Sequence, residues 1–381
     1  MEKLKKRIFL SSPTTHGEEL FYIKEAFEKN WLAPLGFNCD IFEEDISNYI
    51  GGSMPEKYYS LSLNSGTAAL HLAIKLAGIK SGDIVLCSDM TFSATVNPIS
   101  YEGGIQVFVD SERDTWNIDP SALEKAIAKY PQAKALVMVH LYGTPAKMDE
   151  ILEICKNNNI LLIEDSAEAL SSSYKGRQCG SFGKYSIISF NGNKIITTSG
   201  GGMLITRDKN AREKAFFWAT QARENTLWYQ HEEIGYNYRM SNVLAGIGRG
   251  QMKYLSEHRN LKQKIYNNYK EGFIKENLPV TMNPYLNYTS PNHWLSCMLI
   301  NKNCKKDPIE IVKKLNKLNI ESRPLWKPMH MQPVFSGCDN IYTEKIPVSE
   351  DVFSRGLCLP SDIKMTEEEQ NYVIKAIKAC F

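Results

Sequence analysis

A single lysine, Lys194, lies in a stretch of residues 187–203 that is otherwise apolar or rich in hydroxyl-bearing residues and glycine. This pattern predicts a buried strand over 185–190, a loop of small residues, and a further short strand over 202–206. An amine held there loses hydration, and desolvation lowers its pKa towards the nucleophilic range. Such an amine suits the formation of a Schiff base. For an arbitrary lysine, however, a side chain that extends from the loop into solvent is the commoner arrangement.

Residues 160–165 form another apolar run of strand length, with one acid at its end and a second acid shortly beyond it. Asp165 ends that run, and Glu168 lies three residues further on, one helical turn away if a helix has begun. In open α/β sheets, ligands bind at the carboxyl ends of the strands. Asp165 could therefore pair with a protonated heterocycle nitrogen, and Glu168 could reach the same ligand. An aspartate that caps the next helix is an equally common explanation.

A strand, a tight turn of small residues and a helix follow one another over residues 58–78, with the turn at 64–67. The free N–H groups at such a helix start carry the positive end of the helix dipole, so they can hold a phosphate. Thr67 could serve as an ordinary N-cap instead, which is the commoner role for such a residue. His71, inside the helix, is expected to be a packed core residue.

The elements that must position these side chains alternate between strand and helix. Apolar runs of strand length are separated by helical segments: strands at 84–88, 106–110, 135–140 and 160–165, helices near 93–101, 120–130 and 147–158. Runs that are apolar on both faces and joined by helices indicate a mainly parallel sheet. The alternation changes near residue 252. We therefore predict a large α/β domain over 1–251 and a smaller α+β domain over 252–381.

Composition restricts the classes of protein to which this chain can belong. Its 381 residues, 43% of them apolar, suffice for a large core. A net charge of +2 gives no general basic field for nucleic acid or an anionic membrane. The chain start lacks the apolar segment of a secretory signal, and no apolar run approaches transmembrane length. The cysteines and histidines do not have the spacing of a metal site. We expect a cytoplasmic enzyme without a metal.

Three further segments combine aromatic and polar residues. Residues 31–36 form a loop with Trp31 at its tip, for which simple packing and a substrate-facing role are equally open. Residues 228–242 would be costly to bury without partners, so they line either a ligand site or a subunit interface. Residues 323–330 carry cations, aromatics and two prolines, and are expected to face a ligand, with a packed interdomain linker as the alternative.

Four segments stand in a fixed order along the chain: NSGTAALH at 64–71, EDSAEAL at 164–170, SFNGNK at 189–194 and GYNYRMS at 235–241. Together they resemble the DegT/StrS family of pyridoxal-phosphate-dependent nucleotide-sugar aminotransferases, within fold type I. Each segment alone is weak evidence, but the ordered set is highly specific. The resemblance covers nearly the whole chain.

The resemblance implies catalytic roles for individual residues. Lys194 matches the lysine of the internal aldimine, which later moves a proton between the substrate carbon and C4′ of the cofactor. Asp165 matches the partner of the pyridinium nitrogen, whose proton preserves the ring as an electron sink. Glu168 matches a position that hydrogen-bonds the phenolic oxygen, and Phe92 matches an aromatic that stacks on the pyridine face.

The resemblance also implies how the cofactor phosphate is held and how chains assemble. Gly66, Thr67 and Ser189 match phosphate ligands. Asn237 matches a phosphate ligand from the neighbouring subunit. A homodimer with shared active sites would then be the catalytic unit.

Residues 31–36, 221–225 and 323–330 look most like enzymes that aminate C4 of a UDP-linked 4-keto-6-deoxy-N-acetylhexosamine on the way to bacillosamine. L-Glutamate is then the implied amino donor, and the implied substrate contacts are Trp31, Arg239 and His330. Amination at C3, or of a GDP- or dTDP-linked sugar, stays open, as does a non-catalytic regulator that kept the cofactor fold. Family members that dehydrate deoxysugars carry histidine in place of the lysine, so Lys194 disfavours dehydration.

Overall fold

The computed structural model describes residues 3–381, and most of this length packs around one large sheet. The helices are α1 (Glu18–Glu28), α2 (Phe37–Gly51), α3 (Gly66–Leu76), α4 (Asn97–Tyr101), α5 (Pro120–Lys129), α6 (Met148–Asn157), α7 (Lys209–Ala219), α8 (Asn242–Met252), α9 (Leu255–Lys275), α10 (Pro308–Lys317), α11 (Val348–Arg355) and α12 (Glu367–Lys378). Within residues 3–381, no helix combines the length and apolar character needed to cross a membrane.

The strands are short, and most belong to the large sheet. They are β1 (Tyr59–Leu63), β2 (Ile84–Ser88), β3 (Ile105–Val109), β4 (Ala135–Val139), β5 (Leu161–Asp165), β6 (Ser173–Tyr174), β7 (Arg177–Gln178), β8 (Tyr185–Ser189), β9 (Gly202–Thr206), β10 (Val280–Met282), β11 (Thr289–Ser290), β12 (Cys297–Ile300), β13 (Arg323–Pro324), β14 (Asp339–Ile341) and β15 (Gly356–Cys358).

The large sheet has eight strands in the order β1-β9-β8-β5-β4-β2-β3-β14. Strand β9 is antiparallel to both of its neighbours, and the other pairs are parallel. The prediction of a mainly parallel sheet is therefore confirmed. The carboxyl ends of β5 and β8 consequently meet at the same edge of the sheet, where ligands of such folds bind.

Both faces of the sheet are buried, which explains the continuous apolar runs. Val85 belongs to a core shared with α3 and α7, whereas its neighbour Leu86 belongs to a core shared with α5 and α6. Successive side chains of a strand point to opposite faces, so each face receives its own set. Burying each such side chain contributes about 1.5–3 kcal/mol relative to exposure.

The C-terminal part forms a second sheet of four strands in the order β10-β12-β15-β13, with a core supplied largely by α9, α10 and α12. The predicted division at residues 251 and 252 falls at the end of α8. Two segments cross it: Ile8 forms a parallel bridge to Ile320, and β14 pairs with β3 in the large sheet. A short segment from each predicted range, 1–251 and 252–381, therefore pairs with a strand of the other range. Such pairing depends on which strands lie side by side in the fold and not on their order along the chain.

Candidate active site

One cavity of about 350 Å³ lies beyond the carboxyl ends of β5 and β8 and in front of the start of α3; we call it the Lys194 cavity. Many of the residues predicted from the sequence line it together: Gly66, Thr67, Phe92, Asp165, Glu168, Ser189 and Lys194. They come from segments that are distant along the chain. Because strands β5 and β8 run parallel, their ends deliver these side chains to one place.

Lys194 follows β8 in a loop and is largely buried in the cavity. Its Nζ lies 3.8 Å from Oε1 of Glu168 and 4.0 Å from the ring centroid of Trp294. Burial lowers the pKa of Lys194, and the negative charges of Glu168 and Asp165 offset part of that effect. Lys194 therefore loses its proton more readily than an exposed lysine, and its neutral form is the nucleophile.

Asp165 ends β5 and is 3% exposed. One carboxylate oxygen accepts a hydrogen bond from the Thr95 hydroxyl at 2.7 Å, and the other accepts from the Ala167 N–H at 3.0 Å. Burial raises the pKa of Asp165, and these donors together with Lys194 offset part of the rise. The described residues 166–172 form a turn rather than a helix, so the alternative in which Asp165 caps the next helix is wrong. Each carboxylate oxygen keeps a second lone pair for a ligand.

Glu168 stands between the lysine and the backbone of a neighbouring loop. Its Oε2 accepts from the Tyr142 N–H at 2.6 Å, while Oε1 faces Lys194. Burial raises the pKa of Glu168, an effect that Lys194 and the Tyr142 N–H partly offset. One lysine with a lowered pKa therefore shares a buried cavity with two carboxyls whose pKa values are raised. Such opposed shifts are typical of sites that transfer protons.

The start of α3 supplies the part of the cavity suited to an anion. Ser65 is the N-cap, and its side chain accepts from the Ala68 N–H at 3.1 Å. The alternative in which Thr67 caps the helix is therefore wrong, and Thr67 lines the cavity instead. The first N–H groups of a helix lack acceptors within it and favour an anionic ligand. A Cβ on Gly202 would lie 2.4 Å from the Gly66 nitrogen, so only glycine permits this close approach.

Two aromatic side chains, Trp294 and Trp326, complete the cavity wall. Phe92 is half-exposed and tilts against Trp326, with ring centroids 5.4 Å apart. Trp326 belongs to the segment 323–330 that was expected to face a ligand. Trp294 received no individual role from the sequence, because nothing near it along the chain indicates a ligand.

Arg239, which was expected to contact the substrate, does not line the Lys194 cavity. Its guanidinium donates to Oε1 of Glu43 at 2.6 Å and to the Ser62 carbonyl at 2.9 Å, and the residue is 6% exposed. The ion pair with Glu43 accounts for its burial. We therefore correct this assignment to a structural role.

His330, Trp31 and Asn237 also lie outside the described lining of the cavity. His330 holds Asp89 through Nδ1 at 2.7 Å and Glu350 through Nε2 at 3.1 Å. Trp31 is half-exposed, and Asn237 is exposed on a loop. An exposed Asn237 is available to another chain, as its expected contribution to a neighbouring subunit requires.

A buried group of His140, Glu164 and Cys179 brings potential metal ligands within 4.8 Å of one another. Glu164, however, accepts hydrogen bonds from His140 and from the N–H groups of Phe182 and Gly183 at 2.8–2.9 Å. Burial opposes ionisation of Glu164, but His140 and the N–H groups of Gly180 and Gly183 outweigh it and lower the pKa of Glu164 to about 2. The carboxylate thus has a structural role that needs no ion. His71 is likewise a buried core residue, bonded to Glu102 at 2.8 Å.

Comparison with known proteins gives a family match over residues 13–378, to the DegT/DnrJ/EryC1/StrS aminotransferase family. The chain is 46% identical over 381 residues to EpsN of Bacillus subtilis, whose name describes a pyridoxal phosphate-dependent aminotransferase; 99% of this chain and 96% of EpsN are covered. It is 33% identical to the GDP-perosamine synthase of Caulobacter vibrioides, with 97% of each chain covered. The crystal structure of the aminotransferase TlmJ from Streptoalloteichus hindustanus superposes with a TM-score of 0.86 at 25% identity, covering 98% of each chain.

Proposed function

Because this chain belongs to the DegT/DnrJ/EryC1/StrS aminotransferase family, we propose that it transfers an amino group from L-glutamate to C4 of a UDP-linked 4-keto-6-deoxy-N-acetylhexosamine. The chain is an aminotransferase of fold type I, and its cofactor is pyridoxal 5′-phosphate. The observation that carries the proposal is that Lys194, Asp165 and Glu168 share one buried cavity beside a helix start. Membership of an aminotransferase family favours catalysis over the regulatory alternative.

The residues of the Lys194 cavity fit this cofactor. The helix start at Gly66 and Thr67 suits the phosphate, and Gly202 has no Cβ that would crowd the Gly66 nitrogen. Asp165 offers a buried carboxylate to a ring nitrogen. Phe92 offers a half-exposed ring to an aromatic face. Ser189 lines the same cavity and adds a hydroxyl donor.

The chemistry of the reaction divides between the cofactor and these side chains. When bound, pyridoxal phosphate supplies the conjugated ring that delocalises the electron pair left at the amino-bearing carbon. Asp165 holds a proton at the ring nitrogen, since a carboxylate in a buried site strongly favours a cationic partner. Lys194 would take the proton from the donor carbon and deliver it to C4′ of the cofactor, for which its lowered pKa is suited. Trp294 and Trp326 line the cavity and would shield the reacting atoms from water.

We propose a homodimer in which Asn237 of one subunit reaches the phosphate held by the other. Exposed apolar and aromatic side chains in the segment that precedes Asn237 support an interface there: Leu227, Trp228, Tyr229 and Ile234. Trp31, which is half-exposed, and His330 stay proposed substrate contacts. Arg239 is withdrawn from that set because of its ion pair with Glu43.

A GDP-linked 4-keto sugar is the second candidate substrate, supported by the similarity to GDP-perosamine synthase. A two-stage experiment tests both candidates. The purified protein with pyridoxal phosphate is first given L-glutamate, and 2-oxoglutarate is measured; no 2-oxoglutarate would contradict the donor assignment. A panel of UDP-, GDP- and dTDP-linked 4-keto sugars is then scored by mass spectrometry for the gain of an amine. Amination of the UDP-linked N-acetylated sugar is expected, and exclusive use of a GDP-linked sugar would replace the first candidate by the second.

A further inference from the structure

Tyr142 has a backbone conformation that is rare for a bulky residue, and it lies directly behind the Lys194 cavity. It follows β4 with φ 51° and ψ 23°, in the left-handed region, and its side chain is 1% exposed. This conformation is strained for a residue with a Cβ, and it persists only where the surroundings impose it. The contacts of Tyr142 therefore identify what this conformation maintains.

The first contact is made by the backbone. The Tyr142 N–H donates to Oε2 of Glu168 at 2.6 Å, and the other oxygen of that carboxylate lies 3.8 Å from Nζ of Lys194. The left-handed turn thus directs one backbone donor at a carboxylate and fixes which oxygen faces the lysine.

The second contact is made by the side chain. The Tyr142 hydroxyl accepts from the backbone N–H of Trp326 at 2.8 Å, and its ring lies near-parallel to the Trp326 ring at 6.1 Å and to the Trp294 ring at 6.4 Å. Both tryptophans line the cavity. Burial raises the pKa of Tyr142 well above its usual range, so the phenol keeps its proton at neutral pH.

We propose that Tyr142 is a positioning residue for the transamination, holding Glu168 through its backbone N–H and the Trp326 segment through its hydroxyl. The hydroxyl contact joins the loop after β4 to Trp326, 184 residues further along the chain, and the N–H contact joins the same loop to Glu168. The effect on turnover depends on the proposed function, whereas the effect on the Trp326 segment does not. If Tyr142 served only to fill the core, loss of its hydroxyl would change stability and nothing else.

The variant Tyr142→Phe separates the two contacts. It keeps the ring, and it keeps the N–H that donates to Glu168, but it leaves the partly buried Trp326 N–H without its acceptor. Loss of the hydrogen bond at this donor favours local opening, so hydrogen exchange in a peptide spanning 325–328 should be about tenfold faster. The matched control is Tyr269→Phe, which removes another buried hydroxyl, bonded to the Pro360 carbonyl at 2.9 Å in the C-terminal core. That control should leave exchange at 325–328 unchanged.

Kinetics supply the second measurement. The KM for the keto sugar should rise about fivefold in Tyr142→Phe, because the wall formed by Trp326 is loosened. The glutamate half-reaction and the visible spectrum of the bound cofactor should stay unchanged, because the N–H contact with Glu168 is retained.

Unchanged exchange at 325–328, or equal changes in the Tyr269→Phe control, would overturn the proposal. A parallel slowing of both half-reactions would also overturn it, since that result indicates a general loss of structure. If the wild-type enzyme accepts no keto sugar, the proposed substrate is wrong, yet the exchange experiment still decides the role of Tyr142.

Discussion

Replacing Glu43 by glutamine is expected to destabilise the protein strongly, although Glu43 does not line the Lys194 cavity. Glu43 lies on α2 and is 6% exposed. Its carboxylate accepts from Arg239 and Arg212, each at 2.6 Å, and from the Ser62 N–H at 2.9 Å. Glutamine keeps the shape of the side chain but removes the charge that both guanidinium groups require.

The magnitude follows from which groups lose their partner. Removing one member of a buried ion pair costs about 3–5 kcal/mol, because the remaining charge stays buried. Arg239 is buried, so it bears most of this cost, whereas the Arg212 side chain is 26% exposed and can regain hydration. We therefore expect Glu43→Gln to lower the free energy of unfolding by about 3 kcal/mol, towards the lower end of that range.

Urea denaturation followed by tryptophan fluorescence measures this change at pH 7. The adjacent Glu44 is exposed and is the matched control: Glu44→Gln should alter the free energy of unfolding by less than about 0.5 kcal/mol. A loss below about 1 kcal/mol in Glu43→Gln would refute the reasoning, since exposed ion pairs have that strength. A change in substrate KM without a change in stability would restore Arg239 as a substrate contact.

The same experiment has a defined pH dependence. Burial opposes ionisation of Glu43, but Arg239 and Arg212 outweigh it and lower its pKa below 4.5. A carboxyl with a lowered folded-state pKa stabilises the fold above its unfolded-state pKa, and this contribution is lost as the pH falls through the folded-state value. The difference in stability between wild type and Glu43→Gln should therefore be complete at pH 7 and narrow below 4.5.

Three further predictions concern the cavity and its surroundings. Asp165→Asn should lower turnover roughly 100-fold while the circular dichroism spectrum stays unchanged, because the amide cannot stabilise a cationic ring nitrogen; normal turnover would contradict the role of Asp165. Gly202→Ala should weaken binding of pyridoxal phosphate at least about tenfold, measured by titration of absorbance, because the new Cβ meets the first nitrogen of α3; unaltered affinity would exclude a phosphate site there. Burial opposes the charge of His330, but Asp89 and Glu350 outweigh it and raise its pKa. The melting-temperature difference between wild type and His330→Gln should therefore be largest below pH 6.5 and shrink as the pH rises from 6.5 through the raised value. A difference independent of pH would contradict this ion pairing.

The large sheet could be predicted from the sequence because its strands are buried on both faces. Runs such as Ala135–Val139 contain no polar position, and this local property needs no knowledge of the partner strands. The pairing of β14 with β3 could not be predicted, because Asp339–Ile341 is short and two of its three residues are polar and partly exposed. Helix α2 was also missed, since its polar residues, including the buried Glu43, hide the apolar stripe.

The centre of the site could be predicted for a similar reason. Lys194, Asp165 and the start of α3 each follow or precede a recognisable strand, so local pattern and the geometry of parallel sheets bring them to one edge. Arg239 was misassigned because its partner, Glu43, lies 196 residues away along the chain. Thr95 and Tyr142 were not singled out, because their roles depend on the distant residues Asp165, Glu168 and Trp326.

The most direct test of the central claim is reductive trapping of pyridoxal phosphate on the purified enzyme, followed by peptide mass spectrometry. Borohydride treatment should place one phosphopyridoxyl group on the peptide that contains Lys194, and Lys194→Ala should abolish this modification while other lysines stay unmodified. Lys262 is the control, because it too is buried with a pKa lowered to about 7, yet its Nζ donates to the carbonyls of Trp294 and Ser361. Modification of Lys262 or of surface lysines, with Lys194 unmodified, would contradict the account.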